Sequence, residues 1–177
     1  MKRNSVPGVV LLIALALVGV PVAYGSQSTG FSGYETSAGT ACGRQRTCGT
    51  SFAGWTTSSP TWVLPSQSTG GFWTASIDYR GTPGISGTGQ ENAVTLTGGN
   101  WSWIEPTGVR HQGRVTGGQA TWPPDLASDR GCGAGIAMIS ATIREGPTRG
   151  TIIGCLDDTH LSTVFPPHIW GQLALGL

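Results

Sequence analysis

The chain is 177 residues long, with a formal net charge of +1 and only 11% charged residues. After Lys2 and Arg3 it has no further lysine, and its scattered arginines nearly balance the acids. It therefore lacks the basic field of a domain built for nucleic acid or an anionic membrane surface.

Lys2 and Arg3 precede an apolar run from Val9 to Val20, and Ala23 and Gly25 supply small residues for cleavage. These are the parts of a secretory signal peptide. The run is too short to span a bilayer comfortably, which takes about 20 residues. The expected organisation is a signal peptide over 1–25 and one secreted domain over 26–177, in a periplasmic or extracellular compartment, with no membrane contact once the signal is removed. A domain of that size holds one core and is too short for two comfortable ones.

Residues 26–51 are rich in Gly, Ser and Thr, with Phe31 and Tyr34 as the large anchors, and read as loose coil or an edge strand. Four cysteines in an exported chain predict two disulfides. Pairing of Cys42 with Cys48 and of Cys132 with Cys155 is the preferred connectivity, although spacing leaves the other two open. The stretch from Ser26 to Phe31 resembles that from Ser66 to Phe72, but with no third copy the likeness reads as low-complexity coincidence.

From residue 71 the strands become distinct. Trp73, Ala75, Ile77 and Tyr79 alternate with Thr74, Ser76, Asp78 and Arg80, the period-two pattern of a strand with one buried face. Further strands are expected over 93–97 and 101–105, from Val109 to Val115, and around Ala120 and Trp122. Gly98, Gly99 and Asn100 read as a turn between the first two. Residues 133–156 read as a hairpin in which Arg144 opposes Thr151, leaving Ile139, Ala141, Ile143, Ile152 and Leu156 on one apolar face. A last strand carries Ile169, Gly171, Leu173, Leu175 and Leu177, with Trp170 on its opposite face. No sustained helical periodicity occurs in 26–177. The expected fold is all-β: a single-domain β-sandwich or small β-barrel of short antiparallel strands, stapled by disulfides.

Candidate chemistry is sparse. Trp101 and Trp103, two residues apart on one strand face, would suit stacking on a sugar chain, with Glu105, Thr95 and Thr97 as polar contacts. The competing reading places both indoles in the core, where large aromatics usually serve. Asp157, Asp158 and His160, with His168 beyond, offer donors for a divalent metal or an acid–base pair; the alternative is an Asx-type turn closing a strand. Glu91 and Glu105 would be the carboxylates of a glycosidase if they met in space. His111 falls on the apolar face of its strand. The nucleophile-elbow, zinc-protease and dinucleotide fingerprints are absent.

The leading expectation is a secreted, non-catalytic domain without a cofactor, its partner an extracellular carbohydrate. The alternatives are a small secreted hydrolase or metal-dependent enzyme using the Asp157 cluster, and an exported domain that meets another protein.

Overall fold

The computed structural model describes residues 26–37, 46–159 and 166–176. The expected signal peptide, Cys42, His160 and Leu177 lie outside the described residues. Among the described residues eight strands run in order: β1 (Gln27–Ser37), β2 (Cys48–Thr57), β3 (Phe72–Arg80), β4 (Asn92–Ile104), β5 (Arg110–Trp122), β6 (Ala137–Glu145), β7 (Thr148–Asp157) and β8 (His168–Leu175). Each pairs antiparallel with its chain neighbours, and β8 returns to β1, so the sheet closes into a barrel. Of the two expected architectures the barrel is the one formed. Closure removes the open edge that a sheet of this size would otherwise leave unpaired.

The segment over 26–51, expected to be loose coil or an edge strand, holds β1 and the start of β2, strands of the closed sheet with no free edge. Its small residues are what the barrel wall needs: Gly33 opposes Gly54, and a Cβ on Gly33 would lie 2.3 Å from the Ala53 carbonyl oxygen. The likeness between the two Ser/Thr/Gly stretches is coincidental in three dimensions too. Phe31 is 1% exposed inside the barrel, whereas Phe72 is 47% exposed outside it.

One expected turn and one expected strand break are bulges within long strands. Gly98 and Gly99 lie inside β4, where the register with β3 slips between Asp78 and Tyr79. The slip changes which parity faces inward, from Val94 and Leu96 to Trp101 and Trp103. β5 does the same between Val115 and Gly117, so the two strands expected there are one. A bulge inserts an extra residue without ending the strand, and it bends and twists the sheet as closure demands.

The β6–β7 hairpin has the expected inside and outside but a tighter register. Arg144 opposes Arg149 rather than Thr151, and Ala141 opposes Ile152. Its loop is the two residues Gly146 and Pro147, with Gly146 at φ 55°. A glycine at positive φ in the first central position suits the tight turns that match strand twist. The six-residue turn assumed from sequence was too long, and because the register moved by an even step the apolar face was unchanged.

Cys132 and Cys155 are disulfide-bonded, with Cα atoms 5.5 Å apart. The chain between β5 and β6 folds back to allow this, through Gly131, Gly133 and Gly135 at positive φ and a bridge between Asp129 and Ala134. Cys48 is also in a disulfide. These bonds fit an oxidising, extracellular-type compartment. No helix among the described residues is long and apolar enough to cross a membrane.

The barrel interior is unevenly filled. Phe31, Trp73, Trp101, Trp103, Val115, Ile143 and Leu173 are all buried and pack the half nearest the β4–β5 and β6–β7 connections. Phe31 and Trp73 touch with ring centroids 4.4 Å apart, and the Trp73 indole donates to the Ser32 carbonyl over 3.2 Å. At the opposite end emerge the connections after β1, β3, β5 and β7. Short side chains such as Ala120 face inward there, and the described residues leave a cavity in the interior.

Candidate functional site

The open end holds a cavity of about 360 Å³, a size usual for small-molecule sites. Phe52, Ile77, Leu96, Ile139, Leu156 and Trp122 form most of its wall, and Ala120 leaves room at its centre. Its rim includes Thr82, Pro83 and Gly84 from the β3–β4 connection. The Asn92 amide pins that rim by donating to the Thr82 and Gly84 carbonyls, each over 2.7 Å.

Besides Thr82 on the rim, four polar side chains break the apolar wall: Glu35, Thr50, Tyr79 and Asp158. Glu35 ends the inward-facing row of β1 and accepts a hydrogen bond from the Thr50 hydroxyl on β2. Tyr79 closes the inward alternation of β3 and is 3% exposed. Burial, reinforced by the negative charge of Glu35, pushes its phenol above the ordinary tyrosine range. Asp158 follows the last residue of β7 and accepts the Trp122 indole N–H over 2.9 Å. Desolvation raises its carboxyl above the usual range, opposed by the Trp122 hydrogen bond, with the neighbouring Asp157 charge adding slightly to the rise.

The residues expected to form a sugar platform are placed otherwise. Trp101 and Trp103 are 3% and 5% exposed and point into the packed half of the barrel, so no stacking face is presented there. The bulge at Gly98–Gly99 turns them inward, to the core placement that the competing reading expected. Their indole N–H groups are buried and find no hydrogen-bond partner among the described residues. Thr95 and Thr97 lie exposed on the outside of β4. Glu105 sits past the end of β4, bonded to His111 over 3.1 Å.

The Asp157 cluster is divided by the barrel wall. Asp158 faces the cavity, while Asp157 accepts from the Thr159 amide over 3.1 Å and its hydroxyl over 2.6 Å, an Asx-type turn. His168 opposes Asp157 on the outer face and stacks on Trp62, with ring centroids 4.1 Å apart and planes 3° apart. Among the described residues no group of three or more His, Cys, Asp or Glu is arranged to hold a metal. Glu91 and Glu105 flank opposite ends of β4, too far apart for a carboxylate pair, and Glu91 is ion-paired with Arg130.

Two groupings were not anticipated. His111 lies between two carboxylates at the packed end, with Glu105 and Glu145 each 3.1 Å from a ring nitrogen. On the outer wall Tyr34, Trp55, Trp62, His168 and Trp170 make a cluster of edge-on and stacked rings. The outward parity of Trp170 was readable in sequence; its convergence with β1, β2 and the β2–β3 connection was not.

Comparison with protein-family models, with curated proteins and with solved structures finds no match. The functional reading therefore rests on the residues themselves.

Proposed function

We propose that the chain is an exported, non-catalytic binding domain that holds a small molecule in the open mouth of its barrel. The observation that carries this reading is the uneven interior. One half is packed with tryptophans, while the other keeps about 360 Å³ of apolar space with four polar side chains on its wall. Core packing alone favours filling such space, because unfilled apolar volume costs about 24 cal/mol per Å³. A barrel that leaves its mouth open while plugging its other end has the form of a cup, and mouths of small barrels are common ligand sites.

The test fills the cup. Ala120→Phe, on the cavity wall, is made alongside the unmodified oxidised chain, and both are titrated calorimetrically with naphthyl compounds of differing head groups. Binding to the unmodified chain that is lost in a variant with an unchanged far-ultraviolet circular dichroism spectrum supports the reading. Binding that persists undiminished in the filled variant places the ligand elsewhere and overturns it.

A carbohydrate ligand remains a second reading, moved from Trp101 and Trp103 to the outer cluster, whose Trp55, Trp62 and Trp170 are partly exposed. Pull-down on insoluble polysaccharides, lost in Trp62→Ala, would favour that face over the cup.

A further inference from the structure

We propose that the outer wall of the barrel binds an acidic polysaccharide, an extracellular chain bearing carboxylate or sulfate groups, along a row of arginines that closure of the barrel assembles. This surface is separate from the cup and needs no ligand there.

Arg110, Arg114, Arg144 and Arg149 are scattered in sequence. In the barrel Arg114 on β5 opposes Arg144 on β6, and Arg144 opposes Arg149 on β7. All three are exposed, so their stems stand on one outer face at the strand spacing, about 4.8 Å apart. Arg110 is exposed on the same face of β5, one end of the strand from Arg114. The strands are held close at this point: a Cβ on Gly113 would lie 1.8 Å from the Arg144 carbonyl oxygen.

Like charges directly opposite one another on a sheet are unfavourable, and the chain does not neutralise these. The ion pairs among the described residues join His111 to Glu105 and Glu145, and Arg130 to Glu91. None includes a guanidinium of the row. Glu145, next to Arg144 in sequence, turns instead to the His111 ring and accepts from the Gln112 amide over 3.0 Å. Asp157 shares β7 with Arg149 but stands at the other end of the strand, about 27 Å away at the usual rise. Asp78 is on β3, two strands from Arg114. A ligand of opposite charge would remove the repulsion, and the guanidinium fork offers paired donors to carboxylates and other oxyanions.

A polar groove of about 680 Å³ runs against the row on the outer wall. Asn100, Ser102, Gln112 and Ser76 line it beside Arg110 and Arg114, amides and hydroxyls that can exchange hydrogen bonds with sugar hydroxyls. The outward residues of β4 to β7 include no aromatic ring. They therefore lack the stacking platform on which proteins hold single-stranded nucleic acid, which favours a polysaccharide as the polyanion.

The experiment titrates the oxidised chain calorimetrically with polygalacturonate, dextran sulfate and neutral dextran, the first two separating carboxylate from sulfate. At least one acidic polymer should bind and dextran should not, and the affinity should fall as salt is raised, because exposed charges are screened within about 8 Å at physiological ionic strength. Arg114→Gln combined with Arg144→Gln should weaken binding about tenfold or more. Arg80→Gln, on β3 away from the row, should leave it unchanged. The double variant loses a like-charge pair, so its Tm should not fall, and lost binding will not reflect unfolding. Failure of both acidic polymers to bind would overturn the proposal, as would binding that survives the double variant or falls equally in Arg80→Gln. Tighter binding of oligothymidylate or of phosphatidylglycerol vesicles than of either polymer would overturn the polysaccharide as the occupant.

Discussion

The indole N–H of Trp122, at the end of β5, donates to the Asp158 carboxylate over 2.9 Å, joining residues 36 apart in sequence across the barrel mouth. The bond sets the orientation of the largest aromatic in the cup and gives a part-buried carboxyl a donor. Trp122→Phe keeps a ring but removes the donor and leaves a void. The loss of a hydrogen bond to a charged group and of packing together should cost on the order of 2–4 kcal/mol. Urea unfolding of the variant should show a lower midpoint with an unchanged slope; an unchanged midpoint would mean that the bond contributes nothing to the fold.

Asp158 also predicts a pH dependence of definite sign. Its folded-state carboxyl is raised above the ordinary value, chiefly by desolvation. The native state therefore holds its proton more tightly than the unfolded chain does, and this group makes the fold less stable as pH rises from the unfolded value through the folded one. Asp158→Asn, which retains an acceptor for Trp122, should raise Tm at neutral pH, and the gain should vanish below the unfolded carboxyl range. Asp125 and Asp129 act in the opposite sense. Hydrogen bonds from Ser128 and Ala127 to the first, and from Gly133 and Gly131 to the second, hold them below the usual range. Their contribution is present above the unfolded value and lost as pH falls through the folded one. A Tm gain for Asp158→Asn that persists unchanged in strong acid would show that burial of charge is not its cause.

Strand periodicity carried much of the fold. Trp73, Ala75, Ile77 and Tyr79 are buried as their alternation predicts, and so are Ile169, Leu173 and Leu175. What alternation could not carry was its own interruption. Gly98 and Gly99 within β4, and Gly117 within β5, look locally like turns because glycine serves both turns and bulges. Only the neighbouring strands decide which. Each bulge was read as a strand break, so two long strands were counted twice, while β1 was read only as coil or an edge strand and most of β2 went unassigned. The site suffered more. Glu35, Thr50, Tyr79, Trp122 and Asp158 come from five places along the chain, and closure alone brings them to one cavity. Asp158 was singled out, but with Asp157 and His168, which stand on the other side of the wall.

Cys132 and Cys155 are 23 residues apart in sequence, and Cys155 is on the outward parity of β7. The bond therefore restrains the unfolded chain and the β5–β6 connection rather than the barrel interior. Replacing both cysteines by alanine should cost about 3 kcal/mol by the chain-entropy model, with the far-ultraviolet circular dichroism of the native state preserved. Loss of the β-sheet spectrum in the double variant would make the bond a condition of folding rather than an increment of stability.

Trp101 is 3% exposed and packs in the closed half of the barrel. Trp101→Ala should destabilise by about 3–5 kcal/mol, as for other buried aromatics cut to alanine. Because the residue lies outside the cup, a variant kept folded at low temperature should still bind whatever the cup binds. Polysaccharide affinity that falls in a variant of undiminished stability would return this residue to the surface role first considered for it.

Glycine serves two physical purposes here, and paired substitutions separate them. Gly171 opposes Gly154, and a Cβ on Gly171 would lie 2.1 Å from the Ile153 carbonyl oxygen and 2.5 Å from the Gly154 Cα. Neither glycine has positive φ, so Gly171→Ala is opposed by crowding between β7 and β8 and should cost on the order of 1–3 kcal/mol. Gly87, in the β3–β4 connection, has open space around it but φ of 69°. There Gly87→Ala meets backbone strain instead, about 1–2 kcal/mol. The two variants should also differ in kind, because crowding at Gly171 sits in the wall that closes the barrel. Native-state hydrogen exchange should quicken across β7, β8 and β1 in Gly171→Ala and only near residues 81–91 in Gly87→Ala. Equal, local effects from both would mean that the close approach of β7 and β8 is not needed for closure.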